Sequence, residues 1–479
     1  MELIDKLKLP LRIPLKKEMG LLGSFSMGFA DVGADIFLAL GLIAAYAGGA
    51  MPLAILAAAF VYVLTGLSYA ELASSIPVAG GASVYGERAF GKFSGFIGGW
   101  GLMLDYTIDI ALFAVASAGY LSFFFPQIRG AFALTSTLLI LALVLVNLFG
   151  IKESSFVNSL LTIGAIAVIV GIVTIGLATT FSLNEFLSGL RPIGESPGWH
   201  NFLYSITLAM VAFIGIESIS QGAEETKDPE KTLPRAHLLA VGSVVVFALA
   251  VSIVSLGIIS PQALAQKADN PLVAVALALP FANLIVPIVA FTGFAICFVS
   301  ANTGIIGVSR VTYSMSNHGL LTRKFQWVHP VFRTPWVTII LFSAIAIVLA
   351  AVGDMFFLGE LYAFGALTAY LIANIALLKL RFSEPDLKRP FKVPFNIKWK
   401  NAQIPLPAIA GVLGCAFMLF LVAWLHGEGR NFALAWFAIG IVHFFTYRHY
   451  REKQAREAAS AKEPLSAQNT PAVPANSAE

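Results

Sequence analysis

Long apolar stretches separated by short polar gaps run the length of the chain. A helix that crosses the hydrocarbon core of a bilayer needs about 20 mostly apolar residues. Runs of that kind fall at roughly 20–46, 50–73, 94–125, 131–149, 155–179, 201–222, 236–259, 284–308, 336–353, 357–379, 404–425 and 431–447. The pattern predicts an all-α polytopic membrane protein with twelve transmembrane helices. It divides the chain into a polar N-terminal tail (1–19), one membrane domain (20–447) and a C-terminal tail (448–479). That last tail is rich in Ala, Ser, Pro and Glu and is predicted to be disordered. The largest insert, Arg381 to Asn401, reads as a loop.

Composition narrows the class. Hydrophobic residues make up 58% of the 479 and charged residues 12%, against about 25% charged in an ordinary soluble domain. Too few polar side chains are available to cover a soluble core, and there is too much Leu, Ile, Val and Phe for a disordered chain. Cys297 and Cys415 lie in separate apolar runs, which fits neither a disulfide scaffold nor a zinc site.

The net charge of +4 reads as a topology signal. Of the 31 Lys and Arg, 27 lie in the two tails and the even-numbered gaps. The odd-numbered gaps hold only Arg129, Arg191, Lys267 and Arg430. The positive-inside rule then places both termini in the cytoplasm of a plasma-membrane protein. The basic N-terminus, with Lys6, Lys8, Arg12, Lys16 and Lys17, shows no cleavable signal pattern.

Soluble chemistry finds no foothold. Gly86 to Phe93, GERAFGKF, nearly spells a phosphate-cradling loop, but it lacks the final Ser or Thr and no strand precedes it. The seven histidines show no metal-ligand spacing. No enzyme, resident metal, cofactor or nucleic-acid partner is expected.

The informative charges are negative and lie inside the spans. Asp31 and Asp35 fall in span one, Asp105 and Asp109 on one face of span three, and Glu217 in span six. Between Glu18 and Glu87 there is no Lys or Arg at all. A carboxylate at mid-bilayer costs a few kcal/mol and faces a cavity or a partner. With no basic residue at that depth, these acids are either protonated or met by a cation from outside the protein. A single acid of this kind is as often structural as functional; five together argue for a site.

Glycines interrupt the same two spans, at Gly28-Phe-Ala-Asp31-Val-Gly33-Ala-Asp35 and at Phe213-Ile-Gly215-Ile-Glu217. Non-helical backbone at membrane depth is tolerated where it lines a cavity. Spans one and six hold matching places in two five-helix halves, so breaks there point to a transporter's binding site. Both spans are expected to be broken.

Several segments resemble the amino acid–polyamine–organocation superfamily of permeases. They are Tyr69-Ala-Glu71-Leu-Ala with Pro77 and Gly80-Gly81, Leu104-Asp105-Tyr106, the stretch Gly215 to Ala236, Ser309-Arg310 with Tyr313, Asn317-His-Gly319, and Arg389-Pro390-Phe-Lys-Val-Pro394. The resemblance implies a leucine-transporter-type fold of two inverted five-helix repeats plus two further helices. It implies that a substrate carboxylate meets the amides of Val32, Gly33, Ala34 and Asp35 beside Asp31. The substrate ammonium would meet carbonyls near Phe213, Ile214 and Gly215, with Phe213 as an aromatic gate and Glu217 close by.

The chain departs from that family in span five, where Thr162 is followed by Ile-Gly-Ala165 and no lysine. The resemblance therefore leaves coupling either to Na⁺, with a candidate site near Ser300 and Thr303, or to protons on Asp31, Asp35, Asp109 or Glu217. Proton-coupled symport of amino acids is the expectation. The alternatives are a polyamine or organic-amine transporter or exchanger, held by Asp35, Asp109 and Glu217, and a non-transporting sensor that keeps the permease fold. The partners expected are thus a small substrate, a coupling ion and the bilayer; the oligomeric state is left open.

Overall fold

The computed structural model describes residues 17–150, 155–190, 193–352, 354–399 and 402–460. Residues 1–16, most of the basic N-terminal tail, lie outside the described residues, as do Lys152, Arg191 and the tail beyond Ser460. Among the described residues, eight helical runs are long and apolar enough to cross a membrane, and two further apolar helices have 17 residues each. This is a helical, multi-pass membrane protein.

The first run contains two helices, α1 (Leu21–Ala47) and α2 (Met51–Ser75), joined by a turn at Gly48–Ala50. Pro52 sits in the first turn of α2, where its missing N–H removes no helical bond. The short α3 (Ala82–Phe90) then leads into α4 (Lys92–Leu121), α5 (Phe132–Leu148) and α6 (Ser155–Ile175). Gly86 to Phe93, the near phosphate-loop motif, forms the end of α3, the junction at Gly91 and the start of α4.

The second half holds α7 (Leu183–Gly189), α8 (Trp199–Ala209), α9 (Glu217–Gln221) and α10 (Pro229–Leu256). It continues through α11 (Pro261–Ala265), α12 (Pro271–Leu277), α13 (Ala282–Asn317), α14 (Trp336–Val352) and α15 (Met355–Ser383). The last two helices are α16 (Leu406–Leu425) and α17 (Gly427–Ser460). α17 continues past Tyr447, where the hydropathy pattern ends the membrane domain.

The insert read as a loop contains a hairpin. β1 (Asn396–Trp399) pairs antiparallel with β2 (Ala402–Pro405), with Asn396 opposite Pro405 and Trp399 opposite Ala402. Each strand has four residues, too short for an alternation that would stand out among so many lysines.

α4 is the buried centre. Its most apolar window is wholly covered, whereas only about a third of the corresponding window of α16 is. α13 and α15 flank α4 on its long faces, and α1 is held by α10, α8, α6 and α13. A helix apolar all round belongs inside a bundle or against lipid. α4, which carries Asp105 and Asp109, is of the first kind.

One expectation is overturned here. Span one is not broken: α1 is a continuous helix of 27 residues. Its glycines serve contact instead of a bend. A Cβ at Gly28 would stand 2.4 Å from Ile219 Cγ1, and one at Gly33 would meet the Phe29 ring at the same distance. Small residues in a membrane helix commonly mark such close approach, and here that use of glycine prevails over its low helix propensity.

Candidate functional site

The interruption in span six is present. After α8 the chain tightens into a 3-10 turn at Met210–Phe213, and Ile214 is extended at φ −101° and ψ 147°. Gly215 has φ +113°, which an L side chain rarely adopts. A Cβ on it would also lie 2.7 Å from Asp31 Cγ. The helix resumes at Glu217 as the five-residue α9. The break thus presents backbone and Glu217 to the middle of α1.

All five predicted acids are brought to this region and are buried. Asp31, Asp105 and Asp109 are 1% exposed, and Asp35 and Glu217 are fully covered. Asp31 accepts from Ser218 Oγ at 2.5 Å and from Ser300 Oγ at 3.1 Å. Asp109 accepts from Tyr362 Oη at 3.4 Å, and Ser300 Oγ lies 3.5 Å from it. A serine hydroxyl carries one proton, so Ser300 cannot serve both carboxylates at once.

Glu217 and Asp105 form the second group. The two carboxyl groups are buried close enough to act on each other electrostatically. Glu217 Oε2 also accepts from Tyr370 Oη at 3.1 Å. That phenol lies 3.2 Å from the Phe213 carbonyl oxygen as well, so its single proton has two acceptors. Neither Asp105 oxygen receives a donor, nor does Glu217 Oε1 or Asp109 Oδ2. Asp35 makes no hydrogen bond of good geometry, although the Ile214 amide approaches it.

Buried polar atoms are normally paired, and each one left unmet costs about 1–3 kcal/mol, more when charged. None of the five acids forms an ion pair with a Lys, Arg or His among the described residues. The shortfall is in positive charge and protons. Two carboxyl groups facing each other can share one proton, which removes the repulsion between them. The cluster therefore suits a proton or a small organic cation. Among the described residues no three His, Cys, Asp or Glu side chains converge as for a resident metal.

The other predicted residues divide. Phe213 is buried, with its ring centroid 5.1 Å from that of Tyr62, on the face of the break. Ile214 and Gly215 lie in non-helical backbone, as the ammonium-binding reading needs. Val32, Gly33, Ala34 and Asp35 lie within the unbroken α1, where backbone N–H groups are spent on carbonyls four residues back. The amide cradle expected for a substrate carboxylate is not open here, because the helix that would expose those amides has not unwound. Of the candidate Na⁺ ligands, Ser300 faces Asp31 and Asp109, while Thr303 Oγ1 donates to Val299 O within its own helix.

Sequence reasoning assigned no site role to the hydroxyls of Ser218, Tyr106, Tyr362 and Tyr370, which border the acids. Tyr106 Oη lies 3.3 Å from Ser218 Oγ. A fully buried tyrosine normally finds a partner for its hydroxyl, so isolated tyrosines in the most apolar spans were the available signal.

Both ends of the α1–span-six pair are closed. At one end the amides of Glu18 and Met19 donate to Glu225 O at 3.0 Å each, and Lys227 N donates to Met19 O at 2.8 Å. Arg310 secures Glu225 at 2.8 Å. At the other end the Tyr46 and Tyr204 rings lie 4.3 Å apart, and Tyr204 donates to Glu360, which also pairs with His426. The acids are buried between two sets of contacts.

A family model described as amino acid permease matches residues 19–444. The chain belongs to that family. It is 28% identical over 465 residues to the branched-chain amino acid permease BcaP of Bacillus subtilis, covering 92% of this chain and 94% of that one. The methylthioribose transporter of the same organism is 29% identical over 448 residues, covering 87% and 90%. The low-affinity putrescine importer PlaP of Escherichia coli is 26% identical over 452 residues, covering 90% and 94%. The matched stretch includes both spans that build the site, and these relatives are named as transporters, not enzymes.

The permease signatures also explain a second buried cluster. Glu71 Oε2 accepts from Arg381 at 2.6 Å and from the Val393 amide at 2.7 Å, and Arg389 Nε lies 3.2 Å from Oε1. Two motifs more than 300 residues apart thus join, and the insert after α15 is pinned to the end of α2.

Proposed function

We propose that the protein is a proton-coupled secondary active transporter that carries amino acids across the plasma membrane by alternating access. The observation that carries this reading is the buried set of five carboxyl groups around the break in span six, short of donors and without a cationic partner among the described residues. The same reading counts twelve spans in two inverted five-helix repeats followed by two helices, with both termini cytoplasmic.

In this account Asp105 and Glu217 share a proton in the occluded state. Asp31 and Asp109, joined through Ser300, form the other titratable pair. The substrate ammonium is met by carbonyls at Phe213, Ile214 and Gly215 and by Asp35, under the Phe213 ring. Release of the Glu18–Met19 contacts with Glu225 and Lys227 opens one side. Separation of Tyr46 from Tyr204 opens the other.

The unbroken α1 favours a second reading. With the amides of 32–35 engaged within the helix, an amine without a carboxylate suits the acidic cluster better, because it needs no amide cradle. An amino acid requires α1 to unwind near Gly33 first. Uptake of labelled amino acids and of putrescine into proteoliposomes separates the two, with pH and Na⁺ gradients imposed independently. The amino acid reading predicts accumulation of an amino acid under an inward proton gradient; accumulation of putrescine alone replaces it with the amine reading. If Asp35→Asn leaves transport and its pH dependence intact, the role given to Asp35 is wrong.

A further inference from the structure

At the end of the bundle where α3 meets α4, a cleft of about 580 Å³ opens between the start of α4, the turn after α13 and the far end of α17. Its walls include Lys92, Phe93, Tyr447, Arg448, Arg451 and Glu452. The apolar side is aromatic: the Phe93 ring packs 5.5 Å from Phe444 and 5.8 Å from Phe445. Phe90 and Phe93 nonetheless remain 50% and 45% exposed, an arrangement that suits contact with acyl chains at a membrane boundary.

The charges do not cancel. Glu452 is paired with Arg448 at 2.8 Å, in an exposed helical pair. Arg451 donates to the Gly319 carbonyl at 3.3 Å and has no carboxylate partner among the described residues. Lys92 likewise has no acidic partner among them. The nearby Glu87 is already engaged by His318 at 2.6 Å. The cleft thus combines a positive excess with an exposed aromatic rim.

We propose that this cleft binds the headgroup of an anionic phospholipid. Lys92 and Arg451 hold the phosphate, Tyr447 offers its hydroxyl, and the acyl chains run over Phe90 and Phe93. Basic pockets between membrane helices on the cytoplasmic side are suited to such headgroups. The lipid would bridge α4 and α17, and so tie the last helix to the buried centre of the bundle.

Native mass spectrometry and thermal unfolding of the full chain test this, with phosphatidylglycerol and phosphatidylcholine as probes and inorganic phosphate as a control. Phosphatidylglycerol should remain bound and raise the melting temperature, and phosphatidylcholine should do neither. Each basic residue removed should weaken retention by about fivefold, the factor for one Lys or Arg near an anionic surface. Lys92→Gln alone is the safer variant, because Arg451→Gln also removes a bond to Gly319. Equal retention of the two lipids would overturn the proposal, as would unchanged retention by Lys92→Gln or an equal shift with inorganic phosphate.

Discussion

Ser218 donates a 2.5 Å hydrogen bond to Asp31 and so ties the first turn after the span-six break to the middle of α1. The same two elements are held at one end by the backbone contacts of Glu18 and Met19 with Glu225 and Lys227, so Ser218 is the side-chain tie nearest the break. Ser218→Ala leaves one oxygen of a buried carboxyl group without its donor, a loss of about 1–3 kcal/mol. We predict a lower melting temperature for this variant and a transport rate whose pH profile is displaced from wild type. An unchanged profile would show that Asp31 takes no part in coupling.

Gly215 stands where backbone angle and space both require glycine. Gly215→Ala must relieve a 2.7 Å approach to Asp31 in addition to an unfavourable φ. Such backbone strain costs about 1–3 kcal/mol. The expected outcome is a protein that inserts but melts earlier and loses uptake more completely than the stability change explains. Gly20→Ala is the control, since a Cβ there meets nothing within 4 Å.

Glu71 is 1% exposed, accepts from Arg381 and the Val393 amide, and is ion-paired with Arg389. Removing one partner of a buried ion pair typically costs about 3–5 kcal/mol. Glu71→Ala is predicted to fall in that range in denaturation assays. Lys388→Gln breaks the exposed pair with Glu230 and should cost less than about 1 kcal/mol.

Hydrogen bonding to Arg88 holds the Glu384 carboxyl below its ordinary value. A carboxyl group with a lowered folded-state pKa stabilises the fold above its unfolded value of about 4.3 and loses that contribution as pH falls through the folded value. The pair is about a third exposed on each side, so the gain is at most about 1 kcal/mol. Glu384→Gln should therefore melt below wild type at neutral pH and with it at acid pH. About 1 M salt should erase the difference. A gap that widens in acid would contradict the pairing.

Much of the site was legible because a charge in a membrane span is costly enough to stand out. All five acids and the span-six break could be found by asking which residues violate the hydropathy pattern, whereas Phe213 came from the permease resemblance. The state of span one could not. Glycine there is compatible with an unwound backbone or with close contact, and the choice depends on Ile219 and Phe29, which pattern alone does not place. The Glu71 cluster shows the same limit: both motifs are visible in the sequence, but their partnership is a tertiary fact. Ser218, Tyr362 and Tyr370 around the acids were hidden because hydroxyls barely perturb an apolar run.

The central claim is that protons on this buried carboxyl cluster drive uptake. It is tested most directly by accumulation of labelled amino acids in proteoliposomes, under an inward pH gradient with Na⁺ absent, for wild type, Asp105→Asn and Glu217→Gln. The account predicts gradient-driven accumulation by wild type and its loss in both variants, with exchange of preloaded substrate retained. Accumulation that needs Na⁺ and ignores the pH gradient, or variants that concentrate substrate as wild type does, would contradict it.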